Sequence, residues 1–360
     1  MSETVVDCEI IAEAGVNHDG DVADALKLVH AAARAGADTV KFQTFDAHEL
    51  ATDAAPTAAY QSSAGEGDRQ TDMLRRLSLP LSAWRAIARE AETCGIRFLS
   101  TPFDAASARF LIEETGMDRI KVGSGELTNL PLLLALARLG RPLLLSTGMA
   151  TLQDVRDALG TIVFAEVAET GRRPSLAAVR EALSADEAAP ILSRTILMQC
   201  VTAYPAPHDQ ANLRVLDVYA DMGVIPGYSD HTLGIDTALA AVARGARAVE
   251  KHLTLDRARP GPDHKASLEP DEMAGLVAGA RRVTAMLGSE LKAPVPAEIE
   301  NMAVARRGLV ATRPIATGQV FSADNIASRR AGGGAAPARL WDLLGQPASR
   351  PYASGDWIEA

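Results

Sequence analysis

Short apolar segments that each end in polar residues recur along the chain as far as residue 255. Most are separated by stretches with helical spacing, rich in Ala and Leu, such as residues 22–35 and 81–93. This pattern predicts a strand followed by a helix, repeated eight times, and hence a closed (β/α)8 TIM barrel. The predicted strands are 9–15, 39–45, 97–103, 119–126, 142–148, 195–201, 225–231 and 248–255.

An open doubly wound sheet is the alternative to a barrel. Such a sheet usually has fewer strands and an early glycine-rich phosphate turn, and AEAGVNHDG does not fit the G-x-G-x-x-G pattern. Two stretches interrupt the repeat. Residues 46–79 are expected to form a long loop or an irregular helical region, and residues 164–190 a polar, alanine-rich insertion before the sixth strand.

The barrel pattern stops near residue 288, so we predict three parts: a catalytic barrel (1–288), a linker (289–306) and a C-terminal domain (307–360). The linker contains KAPVP, and the last part has short β-like pieces among glycines and prolines. A β-rich module of this size buries little surface and is expected to pack on something else. Residues 331–338, AGGGAAPA, are expected to form a flexible loop.

Composition narrows the class of protein. Of the 360 residues, 47% are apolar, which is ample for a core, and the formal net charge of -10 disfavours nucleic acid or an anionic membrane as the main partner. The three cysteines have no metal-site spacing and are expected to be reduced packing residues. With no signal-peptide pattern and no apolar run long enough to span a bilayer, we expect a cytoplasmic protein.

Two predicted strand ends carry histidines, His231 and His252. One strand, helix and strand unit separates them, so neighbouring parallel strands should bring the imidazoles together. Glu250 and His252 alternate with apolar residues, whereas Lys251 breaks the alternation without explanation. Two imidazoles form an incomplete ligand set suited to Mn²⁺, Co²⁺, Fe²⁺ or Zn²⁺. The alternative is a pair of hydrogen-bonded core histidines.

Two lysines, Lys41 and Lys121, lie within otherwise apolar strands. A buried ammonium needs a carboxylate or a bound anion, and KVGSGE (121–126) together with Ser146 suggests a phosphate cradle. Ion pairs with Glu13 and Glu126 that serve only packing are one alternative. A neutral lysine that forms a Schiff base, as in barrel aldolases, is another. Glu13 and Glu126 are also the best candidates for proton transfer.

Eight motifs in order resemble the bacterial sialic acid synthases, that is, N-acetylneuraminate synthase and its legionaminate-type relatives. The motifs are IAEAGVNHDG, KFQTF, LSTPFD, KVGSGELTNLPLL, LSTGMA, CVTAYPAP, GYSDHTLG and EKHLTLDRARPGPDHKASLEP. The likeness covers nearly the whole chain, because the C-terminal module resembles the antifreeze-like SAF (β-clip) domain that ends these enzymes.

The resemblance implies a metal-dependent condensation of phosphoenolpyruvate with an N-acetylated mannose-type sugar, giving a nine-carbon 2-keto acid and phosphate. His231 and His252 would bind the metal, for which we expect Mn²⁺, with Mg²⁺ or Co²⁺ as alternatives. Glu13, Glu126 and Asp263 would face the sugar and the reacting carbons. The predicted substrate-binding residues are Lys41, Gln43, Thr101, Lys121, Ser124, Ser146, Thr202, Tyr204, Ser229 and Arg330.

The resemblance also implies a domain-swapped homodimer, in which Arg330 reaches into the partner subunit's barrel and holds the N-acetyl group of the sugar. The usual loop after this arginine is replaced here by Ala331 and three glycines. The motifs GPDHKASLEP and YPAP are closer to the legionaminate branch than to the N-acetylneuraminate branch. Pseudaminate synthase, a Schiff-base sugar aldolase and a non-catalytic sugar-binding protein remain as alternatives.

Overall fold

Eight parallel strands alternate with helices in the first of the two units into which the chain divides, Met1–Gly288 and Ser289–Ala360. The computed structural model describes residues 8–50, 52, 69–169 and 171–359. The strands are β1 (Glu9–Gly15), β2 (Thr39–Thr44), β3 (Arg97–Pro102), β4 (Ile120–Val122), β5 (Leu143–Ser146), β6 (Ile196–Cys200), β7 (Ile225–Asp230) and β8 (Ala248–His252).

The strands form a nearly closed barrel. They are hydrogen-bonded in the order β3-β2-β1-β8-β7-β6-β5-β4, and β3 also contacts β4. The registers Glu13↔Lys41, Glu13↔His252 and Ser229↔Glu250 place polar residues of adjacent strands side by side. The predicted (β/α)8 barrel is therefore confirmed, and its polar strand ends meet at one mouth.

The helices pack their apolar sides on the outside of the barrel. For example, α1 begins after Asp21, whose carboxylate accepts the Ala23 amide, and buries Leu28 and Val29. The helices of the first unit are α1 (Val22–Arg34), α2 (Ala47–Leu50), α3 (Gln70–Leu77), α4 (Leu81–Thr93), α5 (Ala105–Thr115), α6 (Leu130–Ala137), α7 (Leu152–Val167), α8 (Leu176–Leu183), α9 (Ala188–Leu192), α10 (Val215–Asp221), α11 (Asp236–Ala243) and α12 (Pro270–Leu287).

Both interruptions of the repeat contain helices. The first, residues 46–79, includes α2 and α3, while residues 53–68 lie outside the described part of the chain. The second is more regular than predicted, because α7 runs on to Val167 and packs against α8. Gly160 makes this packing close, since a Cβ there would lie 2.3 Å from the Val179 carbonyl oxygen.

The second unit is small and built around a two-stranded antiparallel sheet. After α13 (Pro296–Ala305), β9 (Gly308–Ala311) pairs with β10 (Ile326–Arg329), and α14 (Leu340–Leu343) follows. Its separate core contains Leu309, Ala311, Ile315, Phe321, Ile326, Ala348, Tyr352 and Ile358. Within the described ranges of the whole chain, no helix has the length and apolar character to cross a membrane.

Candidate active site

A cavity of about 360 Å³ opens at the carboxyl ends of the barrel strands. It receives polar side chains from each strand or from the loop that follows it. The predicted site residues that line it are Glu13, Lys41, Gln43, Thr101, Lys121, Ser124, Ser146, Thr202, Tyr204, Ser229, His231, His252 and Asp263. Glu126 and Arg330 are not in this lining set.

Lys41 is held inside the barrel by one close carboxylate and one hydroxyl. Its Nζ lies 2.8 Å from Glu13 Oε2 and donates to Thr101 Oγ1 at 3.0 Å. Glu250 Oε2 is 3.6 Å away. Burial alone would lower the pKa of Lys41, but Glu13 and Glu250 outweigh burial and raise it. The ammonium is therefore charged and points inward, and β1 lies between its strand and β8, which carries His252.

Lys121 is the second ammonium of the cavity. Its Nζ donates to Ser146 Oγ at 2.7 Å and lies 3.5 Å from Glu250 Oε1. Burial lowers its pKa, and the nearby charge of Lys41 adds to this effect, while Glu250 opposes it. An anion bound beside Lys121 would stabilise its charged form.

Glu250 lies between the two lysines and was missing from the predicted site residues. Burial would raise its pKa, but Lys121 and Lys41 lower it to about 2. Glu13 behaves in the opposite way, because burial and the charge of Glu250 raise its pKa to about 7 despite the closeness of Lys41. The cavity thus holds two ammonium groups, one firmly ionised carboxylate and one that gains or loses a proton near neutrality.

Glu126 does not take the position predicted for it. It ends a short 3-10 turn (Ser124–Glu126), is only half-buried, and accepts a hydrogen bond from Asn129 Nδ2 at 2.8 Å. The alternative ion pair of Lys121 with Glu126 is wrong, since Glu250 is the carboxylate beside Lys121. The polar alternation of Glu250 with His252 on β8 was the sequence signal that could have identified this inward-facing carboxylate.

His231 and His252 lie together at the mouth of the barrel, with ring centroids 5.5 Å apart. Tyr204 packs on His231 at a centroid distance of 4.1 Å. His231 Nδ1 is 2.6 Å from the Val201 carbonyl oxygen, so Nδ1 carries the proton and donates, and the Nε2 lone pair lies 3.5 Å from Ser229 Oγ. Burial lowers the pKa of both histidines, and that of His252 is well below its ordinary value.

The donor set at this pair fits a divalent metal. Two neutral imidazoles are present, and the buried Nδ1 of His252 has no hydrogen-bond partner. Asp263 Oδ2 lies 3.6 Å from that nitrogen, and a carboxylate oxygen beside two imidazoles is a common ligand set. The hydrogen bond from His231 to Val201 fixes the tautomer that a metal-binding histidine needs.

A second group of ligand atoms occurs elsewhere in the described residues. One atom each from His30, Glu90 and Cys94 lies within 4.8 Å of the others. The group is on α1 and at the end of α4, and none of the three residues lines the cavity. It is therefore separate from the histidine pair at the strand ends.

Asp263 meets Glu13 and Gln43 around Gly15. A Cβ on Gly15 would lie between 3.3 and 3.5 Å from one side-chain atom of each of these residues. Gln43 Nε2 donates to Glu13 Oε1 at 3.1 Å. Burial raises the pKa of Asp263 to about 6. A second group that can exchange protons near neutrality therefore lies beside Glu13.

Ser124 is positioned by the turn that follows β5. The Gly148 amide donates to Ser124 Oγ at 3.0 Å, and Cys200 Sγ lies 3.0 Å from the same hydroxyl. A Cβ on Gly148 would lie only 2.2 Å from Thr202 Oγ1. The absence of a side chain at position 148 therefore lets Ser124 and Thr202 occupy their places at the cavity.

One wall of the cavity is apolar. Val16 and the segment that contains α2 and α3 form a small cluster that packs separately from the main core. The apolar lining residues on this side are Val16, Phe45, Leu50, Met73, Leu74, Leu77 and Phe103. The cavity therefore combines a charged floor with a wall suited to methyl and methylene groups.

Arg330 belongs to the second unit. It follows β10, and its side chain is exposed. The glycine-rich loop after it packs on Trp357, whose Nε1 donates to the Ala331 carbonyl at 3.0 Å. A Cβ on Gly333 would lie 2.7 Å from the Trp357 ring. Gly333 and Gly334, where a Cβ would lie 2.6 Å from the Leu309 carbonyl oxygen, thus permit close packing, whereas the sequence suggested flexibility as the reason for the glycines.

Comparisons with known proteins agree with the geometry of both units. The sequence profile of the NeuB family matches residues 28–292, and that of the SAF domain matches residues 306–360. An N,N'-diacetyllegionaminic acid synthase of Campylobacter jejuni is 39% identical, covering 97% of this chain and 98% of the relative. The same-named protein of Legionella pneumophila is also 39% identical, covering 97% and 92%.

A solved structure shares the architecture. The N-acetylneuraminic acid synthetase of Leptospira borgpetersenii superposes with a TM-score of 0.67 at 28% sequence identity. The match covers 84% of this chain and 94% of that one.

Proposed function

The chain belongs to the NeuB family of sialic acid synthases, and from this premise we propose that it condenses phosphoenolpyruvate with an N-acetylated mannose-type sugar. The products are a nine-carbon 2-keto acid and inorganic phosphate. The chain is an enzyme of this family. The donor and the acceptor are our proposal, supported by the cavity described above and by the names of the relatives.

The main support for this proposal is the pair of lysines that face into the cavity. Lys41 and Lys121 are both buried in the cavity, and among the described residues that line it Glu250 alone opposes them as a firmly ionised carboxylate. Because the pKa of Glu13 is raised to about 7, Glu13 is only partly ionised near neutrality, and the floor keeps an excess of positive charge that a phosphorylated carboxylic acid would neutralise. Phosphoenolpyruvate carries negative charge on its phosphate and carboxylate groups. The neighbouring hydroxyl groups of Thr101, Ser124 and Ser146 would donate to its oxygens.

A divalent metal is the proposed cofactor. It would be held by His231 and His252, with Mn²⁺ expected and Mg²⁺ or Co²⁺ as alternatives, and it would polarise the open-chain aldehyde of the sugar as a Lewis acid. Tyr204 and Ser229 would shape the surroundings of the imidazoles, since Tyr204 packs on the His231 ring and Ser229 donates to Glu250 at 2.9 Å.

The reaction requires protons to move at two positions. The enol carbon of phosphoenolpyruvate attacks the aldehyde carbon, a C–C bond forms, and the aldehyde oxygen takes up a proton. Asp263, whose pKa is raised to about 6 by burial, is the donor that we propose for this oxygen. Gln43 would hold the neighbouring Glu13 in place through its hydrogen bond.

Water then adds to the cationic carbon that the attack leaves on the former phosphoenolpyruvate. Glu13 would accept a proton from this water, because its raised pKa of about 7 makes it a base that works near neutrality. The C–O bond to phosphate breaks in the tetrahedral intermediate, and phosphate leaves with the bonding electrons. The new hydroxyl group passes its proton to the departing phosphate as the C=O bond of the keto group forms. Lys41 and Lys121 would stabilise its negative charge.

The apolar wall favours 2,4-diacetamido-2,4,6-trideoxymannose over N-acetylmannosamine as the acceptor. A 6-deoxy sugar presents a methyl group, and its second acetamido group presents another, where the wall offers Phe45, Met73 and Phe103. Among the described residues that line the cavity, the cationic side chains are those of Lys41 and Lys121. A sugar phosphate would therefore find no separate cation on this wall, and N,N'-diacetyllegionaminate is the product that we propose.

Three further features are part of the proposal. The enzyme has three functional parts, which are the barrel (1–288), the linker (289–306) and the SAF domain (307–360). The enzyme works in the cytoplasm as a domain-swapped homodimer. Arg330 of each subunit recognises the N-acetyl group of the sugar in the other subunit, with Thr202 at the cavity edge as a further contact to substrate.

A phosphate-release assay tests the proposed function. Purified protein with Mn²⁺ and phosphoenolpyruvate is given N-acetylmannosamine, 2,4-diacetamido-2,4,6-trideoxymannose or the altrose analogue of the latter. We expect the fastest phosphate release with the trideoxymannose, together with a new nine-carbon keto acid in the mass spectrum. Preference for the altrose analogue would indicate a pseudaminate synthase instead. Borohydride trapping with pyruvate, unaffected by chelator, would indicate a Schiff-base aldolase.

A further inference from the structure

Lys251 is a buried charged residue that the proposed reaction does not use. It lies on β8 between two residues that face the cavity, Glu250 and His252, and its own side chain is on the other face of the strand. The side chain is 0% exposed. A buried ammonium in this position needs a partner of opposite charge.

That partner is Asp230 on the neighbouring strand. Lys251 Nζ lies 2.8 Å from Asp230 Oδ2, and the Asp230 side chain is likewise 0% exposed. The two residues are directly opposite each other in the parallel pairing of β7 with β8. Lys251 Nζ also donates to the carbonyl oxygen of Thr232. One ammonium group therefore binds the residues on both sides of His231.

Two further hydrogen bonds hold the backbone around His231. Asp230 Oδ1 accepts the Thr232 amide at 2.9 Å, and the His231 carbonyl accepts the Ala206 amide at 2.8 Å. The backbone from residue 230 to residue 232 is thus fixed at three points. Because Lys251 directly precedes His252, the same side chain ties the backbone of one histidine to the backbone of the other.

We propose that the Asp230–Lys251 pair is a positioning device that sets the separation of His231 and His252 for metal binding. The proposal rests on the proposed function, because it assumes that a metal binds these two imidazoles. Outer residues that orient metal ligands commonly affect affinity by about 10- to 100-fold. A buried ion pair often contributes little net stability, so its retention here agrees with a role in fixing geometry.

The test compares Mn²⁺ affinity, measured by isothermal titration calorimetry, in wild-type protein and in the double variant Asp230→Asn/Lys251→Met. This variant removes both charges together, and the asparagine oxygen still accepts the Thr232 amide. The matched control is Glu9→Gln/Arg119→Leu. That pair joins β1 to the start of β4 at the opposite end of the barrel, with Arg119 Nη1 2.6 Å from Glu9 Oε2.

We expect the double variant to bind Mn²⁺ about 10- to 100-fold more weakly, whereas the control variant keeps the wild-type affinity. Unchanged affinity in the double variant would overturn the inference while leaving the proposed function intact. An equal loss in the control would also overturn it, because the effect would then be one of general stability. Failure of the wild-type protein to bind Mn²⁺ would overturn both.

A second variant keeps the inference testable if the double variant does not fold. Asp230→Asn alone has nearly the same shape and removes only the opposite charge. We expect it to weaken Mn²⁺ binding in the same direction, and wild-type affinity in this variant, with a wild-type circular dichroism spectrum, would overturn the inference.

Discussion

Replacement of Gly148 by alanine should disturb the cavity at a defined position. The added Cβ would lie 2.2 Å from Thr202 Oγ1 and 2.9 Å from both Cys200 Sγ and Ser124 Oγ, where ordinary contacts begin at 3.4 Å. Gly148 does not have a positive φ, so alanine is tolerated by the backbone itself. The effect of the substitution should therefore come from the displaced side chains.

The size of the effect follows from this overlap. Thr202 must rotate and Ser124 must move, and overpacking of this kind typically costs about 1–3 kcal/mol. Each kcal/mol should lower the melting temperature by about 2–4 °C in a domain of this size. Because Ser124 is proposed to hold phosphoenolpyruvate, and a misplacement of about 1 Å can cost ~100-fold in rate, we expect kcat/KM for phosphoenolpyruvate to fall about 10- to 100-fold.

Gly275→Ala is the control for this prediction. Gly275 lies on α12 and does not line the cavity, a Cβ there would meet no atom within 4 Å, and its φ is not positive. Melting temperature and phosphate-release kinetics should therefore be close to wild type in this variant. Wild-type kcat/KM in Gly148→Ala, or an equal loss of activity in Gly275→Ala, would refute this prediction.

Three other predictions follow from the cavity and the proposed dimer. Lys121→Met should weaken phosphoenolpyruvate binding in calorimetry by about 10- to 100-fold, the equivalent of ~1.5–3 kcal/mol for a charged hydrogen bond; unchanged binding would show that the floor is not the anion site. The pKa of Glu13 is raised to about 7, so kcat/KM should fall as the pH drops below about 7. This pH dependence should vanish in the residual activity of Glu13→Gln. If the pH dependence persists in that variant, Glu13 is not the base. Mixing inactive Arg330→Ala and Lys41→Met proteins should restore roughly a quarter of wild-type activity if subunits exchange. Half of the dimers would be mixed, and each mixed dimer would hold one complete site out of two. No recovery despite mixed dimers would place Arg330 in its own subunit's site.

The barrel could be predicted from the sequence because the repeat of strand and helix is a local property of the chain. Seven of the eight predicted strands end within a few residues of the observed ends, and the prediction failed mainly at the fourth. That strand was expected to span residues 119–126, but β4 ends at Val122 and the chain turns at Ser124. This early turn is the reason why Glu126 leaves the cavity.

The partners of the charged residues could not be predicted, because they depend on the register between strands. The alternative to a phosphate cradle paired the lysines with Glu13 and Glu126, whereas the barrel brings Glu250 from β8 beside Lys121. Lys251 broke the alternation of β8 when that strand was considered alone. The pairing of β7 with β8 explains it, because Asp230 is directly opposite.

The histidine pair was predictable for the converse reason. His231 and His252 lie at the ends of consecutive strands, and consecutive strands of a barrel are neighbours, so their closeness follows from topology alone. The second ligand group, His30, Glu90 and Cys94, joins two helices, α1 and α4, that are separated in sequence by one strand, β2, and two short helices. No sequence pattern comparable to the histidines at consecutive strand ends indicated which helices pack together on the barrel surface.

Anomalous diffraction from crystals soaked with Mn²⁺ and phosphoenolpyruvate would show whether the metal binds the two imidazoles and the phosphate binds the two lysines. Data collected at the manganese absorption edge locate the metal independently of any assumption about the reaction. We predict an anomalous peak beside the imidazoles of His231 and His252, with the phosphate of phosphoenolpyruvate within hydrogen-bond distance of Lys41 and Lys121. A peak only at His30, Glu90 and Cys94, or phosphoenolpyruvate bound away from the two lysines, would contradict it.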